Sequence, residues 1–192
     1  MKIHTYIERY KFLLLAIIFL FSAMLVETNF FNQRFKEQHV ALFEKIMHAK
    51  QQYALDMCKK IGEVSPHTFE SYRSLFAANK RLLTNQNMIF FVYKNNELIY
   101  WSNNNVSIPD SILCDTNTHS MYFIDNGWYF STFHSLDSIK IYIFSHIKSE
   151  YPYQNAFIKN RFHSDFGINP NISVCTQESQ DNYNVYLPDG SF

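Results

Sequence analysis

Three histidines, His119, His134 and His146, fall on segments of β character, where imidazoles can bind a metal or move a proton. They belong to different strands, and none has a carboxylate placed beside it, so the pattern predicts no metal site. Three cysteines, Cys58, Cys114 and Cys175, are too few and too far apart for a disulfide scaffold or a zinc site. They read as isolated buried or half-buried thiols, with their pairing state left open. Asp110, Asp115 and Asp125 read as solvated loop acids. No Ser-His-Asp or Cys-His combination has positional logic, and no Gly-rich nucleotide loop is present. Asn126-Gly127-Trp128 is the nearest thing to a ligand contact, but it reads better as a turn glycine followed by a core indole. The expectation is no catalytic residue, no cofactor and no metal, with any ligand-binding residues unknown.

The elements around these residues are better specified. The chain has 192 residues and no net formal charge, which gives nucleic-acid binding no electrostatic support. Residues 12–26, FLLLAIIFLFSAMLV, are apolar except for Ser22. Tyr10 and Lys11 can extend this run by interfacial anchoring towards the roughly 20 residues a spanning helix needs. Lys2, Arg9 and Lys11 precede it against Glu8 alone, so the N-terminus is expected to stay in the cytoplasm and the remainder to be exported. No small-x-small cleavage site follows, so an anchor is read rather than a cleaved signal peptide. The expected layout is a cytoplasmic N-terminus over 1–9, a transmembrane anchor over 10–29 and a helical stalk over 30–64.

Phe35, His39, Leu42, Ile46, Ala49 and Tyr53 recur at spacings of four and three, a heptad-like stripe predicting a continuous helix over 32–61. Lys50 and Gln51 fall on its polar outer face. The stripe suits either packing on its own domain or pairing with a second copy. Gly62 should end the helix, and Ser65-Pro66 should open the next as N-cap and first residue. MIFFVY (88–93) and ELIYW (97–101) then read as a hairpin around Lys94-Asn95-Asn96. A polar connection over 102–118 leads to strands at 119–124, 128–134 and 139–147. Pro152 should stop the sheet near Glu150, and residues 153–162 suit a short helix. Short strands are expected at 172–176 and 184–187, with a turn at Pro188-Asp189-Gly190. The chain stops at Phe192 in what should be the first residues of a further strand, which reads as a truncated product or a fragment.

The fold class is therefore α+β, with a five-stranded antiparallel sheet, flanking helices and a partial C-terminal hairpin. "FFVYKNNELIYWSNN" (90–104), "NGWY" (126–129) and "IKSEYPYQNAFIKNRFHSDFGI" (147–168) follow one another in order, and "VYLPDGSF" (185–192) closes the chain. Together they resemble the extracytoplasmic, PAS- or Cache-like sensor region of membrane-bound two-component histidine kinases of Gram-negative bacteria. The resemblance implies a sensor domain over 65–166 and the start of a truncated hairpin over 167–192. It also implies a periplasmic input domain on a single-pass inner-membrane anchor, paired as a homodimer through the stalk and responding to an unknown small-molecule or protein signal. The phosphoacceptor and ATP-binding domains of that family are missing from these residues, so the chain itself is not expected to be an enzyme. The alternative is a stand-alone membrane-anchored interaction module acting through a partner protein. Alternation along 139–147 places Ile139, Ile141, Ile143 and Ile147 on one face and Lys140, Tyr142, Phe144, His146 and Lys148 on the other. Any ligand pocket is expected on a face covered by both the helices and the 102–118 connection, with Trp101 or Trp128 nearby.

Overall fold

The computed structural model describes residues 2–113, 119–176 and 185. The chain divides into two compact units, Met1–Leu42 and Phe43–Phe192. The first is helical throughout its described residues and belongs to α1 (Lys2–Gly62). Within it, Tyr10–Glu27 is long and apolar enough to cross a membrane, and its side chains are all exposed. Its one polar interior residue, Ser22, donates its hydroxyl to the Ile18 carbonyl at 2.8 Å, which removes the cost of an unpaired hydroxyl in an apolar setting.

The second unit is an α+β domain. Its strands are β1 (Met88–Lys94), β2 (Glu97–Trp101), β3 (His119–Ile124), β4 (Gly127–Leu136), β5 (Ile139–Ser149) and β6 (Arg161–Phe162). The pairings are all antiparallel, in the order β2-β1-β5-β4-β3. β1 pairs with β5 from Ile139 to Ser145, and β6 takes the partner's place at Lys148 and Ser149. The hairpin, the meander and the sheet's end before Glu150 follow the expected plan. Asn95 and Asn96 both adopt positive φ (52° and 67°), as the tight β1–β2 turn requires.

One sheet face carries α1, α2 (Phe69–Ala78) and α3 (Lys80–Gln86). Ile139, Ile141, Ile143, Phe90 and Val92 pack there against Ala54, Met57, Cys58, Ile61, Tyr72 and Phe76. Phe76 stacks on Tyr100 with ring centroids 4.6 Å apart, a contact type worth about 0.5–1.5 kcal/mol beyond the area it buries. The opposite face, Ile89, Phe91, Tyr142 and Phe144, is covered by Val106, Ile108 and Ile112 of the connection, which forms a helical turn at α4 (Asp110–Leu113). Helices and connection therefore cover opposite faces, not a shared one as expected. The reason lies in period-2 alternation on β1 as well as β5, which builds two apolar faces rather than one.

Other local expectations are also corrected. α1's buried stripe is Phe43, Met47, Lys50, Ala54, Met57 and Ile61, one residue beyond the expected one. Leu42 and Ala49 are exposed, Ile46 and Tyr53 are half-buried, and Lys50 and Gln51 lie inside. α2 is capped by Thr68, whose hydroxyl accepts from the Ser71 amide at 3.4 Å, and Ser65-Pro66 precedes it as a cis pair. Residues 153–162 form no helix, because their side chains take the backbone donors. Asn155 Oδ1 accepts from the amides of Phe157 and Ile158, both at 2.8 Å, and Gln154 Oε1 from that of Asn160 at 2.9 Å. Residues 172–176 are irregular rather than a strand. Cys114, Asp115, the strand expected at 184–187 and the Pro188-Asp189-Gly190 turn lie outside the described residues, apart from Val185.

Asn87 ends α3 in the left-handed region (φ 49°, ψ 50°) and points its amide at His146. Asn87→Ala should cost about 1–2 kcal/mol, and Asn87→Gly distinctly less, since glycine meets the backbone demand but not the side-chain one. Urea unfolding of the two variants side by side checks this.

Candidate functional site

Where α1 crosses the sheet its buried stripe turns polar. Lys50 is 1% exposed, set between apolar turns at Phe43–Met47 and Ala54–Met57. Its ammonium donates to the Gln86 carbonyl at the end of α3 (2.7 Å) and to Asp165 Oδ2 (2.9 Å). It also lies 5.8 Å from the centroid of the Phe166 ring. Asp165 sits in a single 3-10 turn, Ser164–Phe166, ended by Gly167 in the left-handed conformation (φ 57°). Burial by itself would raise the Asp165 pKa. The Lys50 ammonium, with a smaller contribution from His163, more than offsets this and holds the carboxyl below its usual range.

The turn is fixed to the sheet through His163. Its amide donates to the Ile147 carbonyl at 2.8 Å, and its Nδ1 lies 3.0 Å from Asp165 Oδ2. Its ring meets that of His146 edge-on, with centroids 6.3 Å apart. His146 Nδ1 accepts from the Asn87 amide at 3.1 Å, and its Nε2 is 3.3 Å from Ser149 Oγ. Burial, then the neighbouring His163 and least of all Lys50, drive the His146 pKa down to about 4, against an opposing hydrogen bond at the Lys148 backbone. One residue along α1, Gln51 Nε2 is 2.7 Å from His119 Nε2 on β3, and that imidazole stacks on Phe130.

A second buried lysine holds the segment that follows. Lys148, 3% exposed, donates to the Ile172 carbonyl at 2.8 Å and lies 3.4 Å from Glu150 Oε2. The same carboxylate accepts from the Trp128 indole at 2.9 Å. Trp128 is thus half-buried in a hydrogen-bonded corner, together with Ile168 and Val174. Gly127 supplies no positive φ, since Asp125 takes that conformation (φ 54°). Gly127 is needed instead because a Cβ there would lie 2.7 Å from the Tyr129 ring.

The geometry ties three parts of the domain together through buried polar contacts: α1 by Lys50, the sheet by His146 and Lys148, and the 161–176 segment by Asp165 and the Ile172 carbonyl. The three strand histidines are not brought together. His119 goes to Gln51 and His146 to Asn87, while His134 lines a cleft of about 380 Å³ with Lys59, Glu63, His67 and Asp137. No His, Cys, Asp and Glu group fit to hold a metal occurs among the described residues. Cys58 is buried and its thiol is pushed up to about 12, which makes it unreactive, while Cys175 is exposed. Lys50, Gln51, Lys148, His163 and Asp165 are the site residues that sequence reasoning missed. The available signal was a lone lysine at i+3 from Met47 and i−4 from Ala54, inside an apolar stripe. Comparison of the chain with protein families, curated proteins and solved structures finds no match in any of the three.

Proposed function

We propose that the chain is the periplasmic input part of a two-component histidine kinase, anchored in the inner membrane by Tyr10–Glu27 with its N-terminus in the cytoplasm. The observation that carries this reading is the Lys50–Asp165 pair. It joins the helix that contains the apolar stretch to the segment leading away from the sheet, the two routes by which a sensor could pass on a change. The PAS- or Cache-like assignment is supported by the strand order β2-β1-β5-β4-β3 and by helices on one face with a long connection on the other. The motifs behind the resemblance fall on matching elements: the aromatic hairpin is β1–β2, and Gly127-Trp128-Tyr129 opens β4. In this reading a small molecule or protein partner shifts the sheet. The polar cluster then converts that shift into movement of the α1 stalk against residues 161–176 in a homodimer. The chain acts as a receiver and has no kinase activity of its own.

The half-exposed stripe of Leu42, Ile46, Ala49 and Tyr53 serves as the pairing seam. Single cysteines at Leu42 or Ala49 should cross-link between copies in membranes several-fold faster than cysteines at Glu44 or Leu55. Equal rates would remove the homodimer. The DNA following codon 192 separates this reading from a stand-alone interaction module: a spanning helix and kinase core in frame support the sensor, and an unrelated gene supports the module. Autophosphorylation of the purified chain by ATP would overturn both.

A further inference from the structure

Where α1 ends, the domain has a cleft that the buried polar cluster does not use. It is enclosed by the last turn of α1, the loop after it, the end of β4 and the turn into β5. All of these lie within the one Phe43–Phe192 unit. The volume, about 380 Å³, falls in the range of roughly 300–1,000 Å³ that small-molecule sites occupy. Its walls are held in place. A Cβ on Gly62 would lie 2.6 Å from Leu136 Cδ1, so the end of α1 is pressed directly on β4. His67 is fixed from behind by the fully buried Tyr72. The Tyr72 hydroxyl lies 2.7 Å from His67 Nδ1, and the two rings stack with centroids 6.0 Å apart. A site set in advance of its ligand spares the ordering that binding would otherwise cost.

The polar groups of the lining select the occupant. Glu63 comes from the end of α1 and Asp137 from the β4–β5 turn. Among the described residues, neither carboxylate has an ion pair or a side-chain hydrogen bond. The cations of the last helical turn look elsewhere: Lys59 Nζ lies 3.8 Å from Asp56, and Lys60 donates to Asn79 Oδ1 at 3.4 Å. The carbonyl end of α1 adds the negative pole of its helix dipole. His134, half-buried and also without a side-chain partner among the described residues, offers the lone pair of a neutral imidazole. An anion here would meet two carboxylates and a helix C-terminus, whereas an ammonium would find acceptors on several sides. We infer that the cleft binds a small organic cation of the primary-ammonium class. Its N–H groups are shared among Glu63, Asp137 and His134, and its short apolar part lies against Leu136. The inference holds for a kinase input domain and for an interaction module alike, and its failure would leave both standing. An occupant bridges the end of α1 and the sheet on which α1 lies.

The test titrates the full chain, in micelles of an uncharged detergent, with carbon-matched probes: butylammonium, butyrate and butanol. Isothermal calorimetry should show saturable binding of butylammonium and none of the other two. Glu63→Gln and Asp137→Asn should each raise the butylammonium Kd several-fold, and together they should abolish binding. Both changes keep the side-chain shape, and asparagine tolerates the positive φ of residue 137 (48°). Urea midpoints of the variants without probe should match the parent, which separates lost binding from lost folding. Glu44→Gln, an equal loss of charge about five turns earlier on α1, should leave the Kd unchanged. Butyrate binding as tightly as butylammonium overturns the inference, as does the absence of saturable butylammonium binding. So does butylammonium binding that either cleft variant leaves unchanged, or that Glu44→Gln weakens as much, because the attraction then belongs to the general surface charge.

Discussion

Asp165→Ala should destabilise the domain by about 3 kcal/mol, the low end for breaking a buried ion pair, because Asp165 is 32% exposed while Lys50 is 1% exposed. The loss comes less from the missing attraction than from the ammonium left behind. With the carboxylate gone, Lys50 keeps only the Gln86 carbonyl and must hold a charge among Phe43, Met47 and Phe166. Lys50→Met should therefore cost less than Asp165→Ala. It fills the same volume and frees Asp165 to take water, leaving one carbonyl short of a donor at about 1–2 kcal/mol. The double variant should resemble Lys50→Met alone, so the two losses should not add. Urea unfolding followed by tryptophan fluorescence gives all three values. Additive losses would show that the two residues stabilise the fold separately.

Acid should unfold the domain early, and His146 should account for much of the effect. Its pKa is 6.5 when unfolded and about 4 when folded. The folded state thus resists the proton that the unfolded chain accepts. The corresponding stability is fully present above pH 6.5 and is lost as pH falls towards 4. The difference is roughly 3 kcal/mol, at about 1.4 kcal/mol per pH unit. The groups facing this imidazole are Lys50 from α1, His163 beyond β6 and Tyr129 on β4, and the two basic ones oppose a further positive charge. Asp165, also lowered, adds a loss of the same sign below the usual carboxylate range. His146→Gln should flatten the decline between pH 6.5 and 4, seen as urea midpoints that change little over that interval. A wild-type midpoint constant over the same interval would exclude His146 as a buried neutral base.

The parts of the fold that depend on local chemistry were legible in the sequence. The Asn95-Asn96 turn, the alternating strands and the apolar Tyr10–Glu27 run announce themselves within a few residues. The parts that depend on partners far along the chain were not. Lys50 reads as a surface residue because its carboxylate lies 115 positions away. That reading displaced α1's whole stripe by one residue, about 100° of rotation. A lysine accepted into the core would have completed the Phe43–Met47–Ala54–Met57–Ile61 face. The helix expected over 153–162 failed for a different reason. Pro152 does suit a helix start, but Gln154, Asn155 and Asn160 can satisfy the backbone amides sooner than a helix can. Thr68 took the cap expected of Ser65 because its extended backbone places its hydroxyl opposite the Ser71 amide.

The 115-residue separation of Lys50 and Asp165 also sets the order in which their contact can be completed as the chain is made. α1 leaves the ribosome early, with an ammonium embedded in a stripe of phenylalanine and methionine, and the carboxylate that neutralises it is made 115 residues later. β5 is in the same position, since Lys148 and Ser149 have no strand beside them on that side until Arg161 and Phe162 exist. The sheet edge at Lys148 and Ser149 and the Lys50 ammonium are therefore without these partners until the chain has grown past residue 166. A nascent domain of this kind is at its most aggregation-prone late in synthesis, when nearly all of its hydrophobic surface has been made. A chain that stops short of the 161–166 turn should be cleared as misfolded protein rather than persist as a smaller functional form.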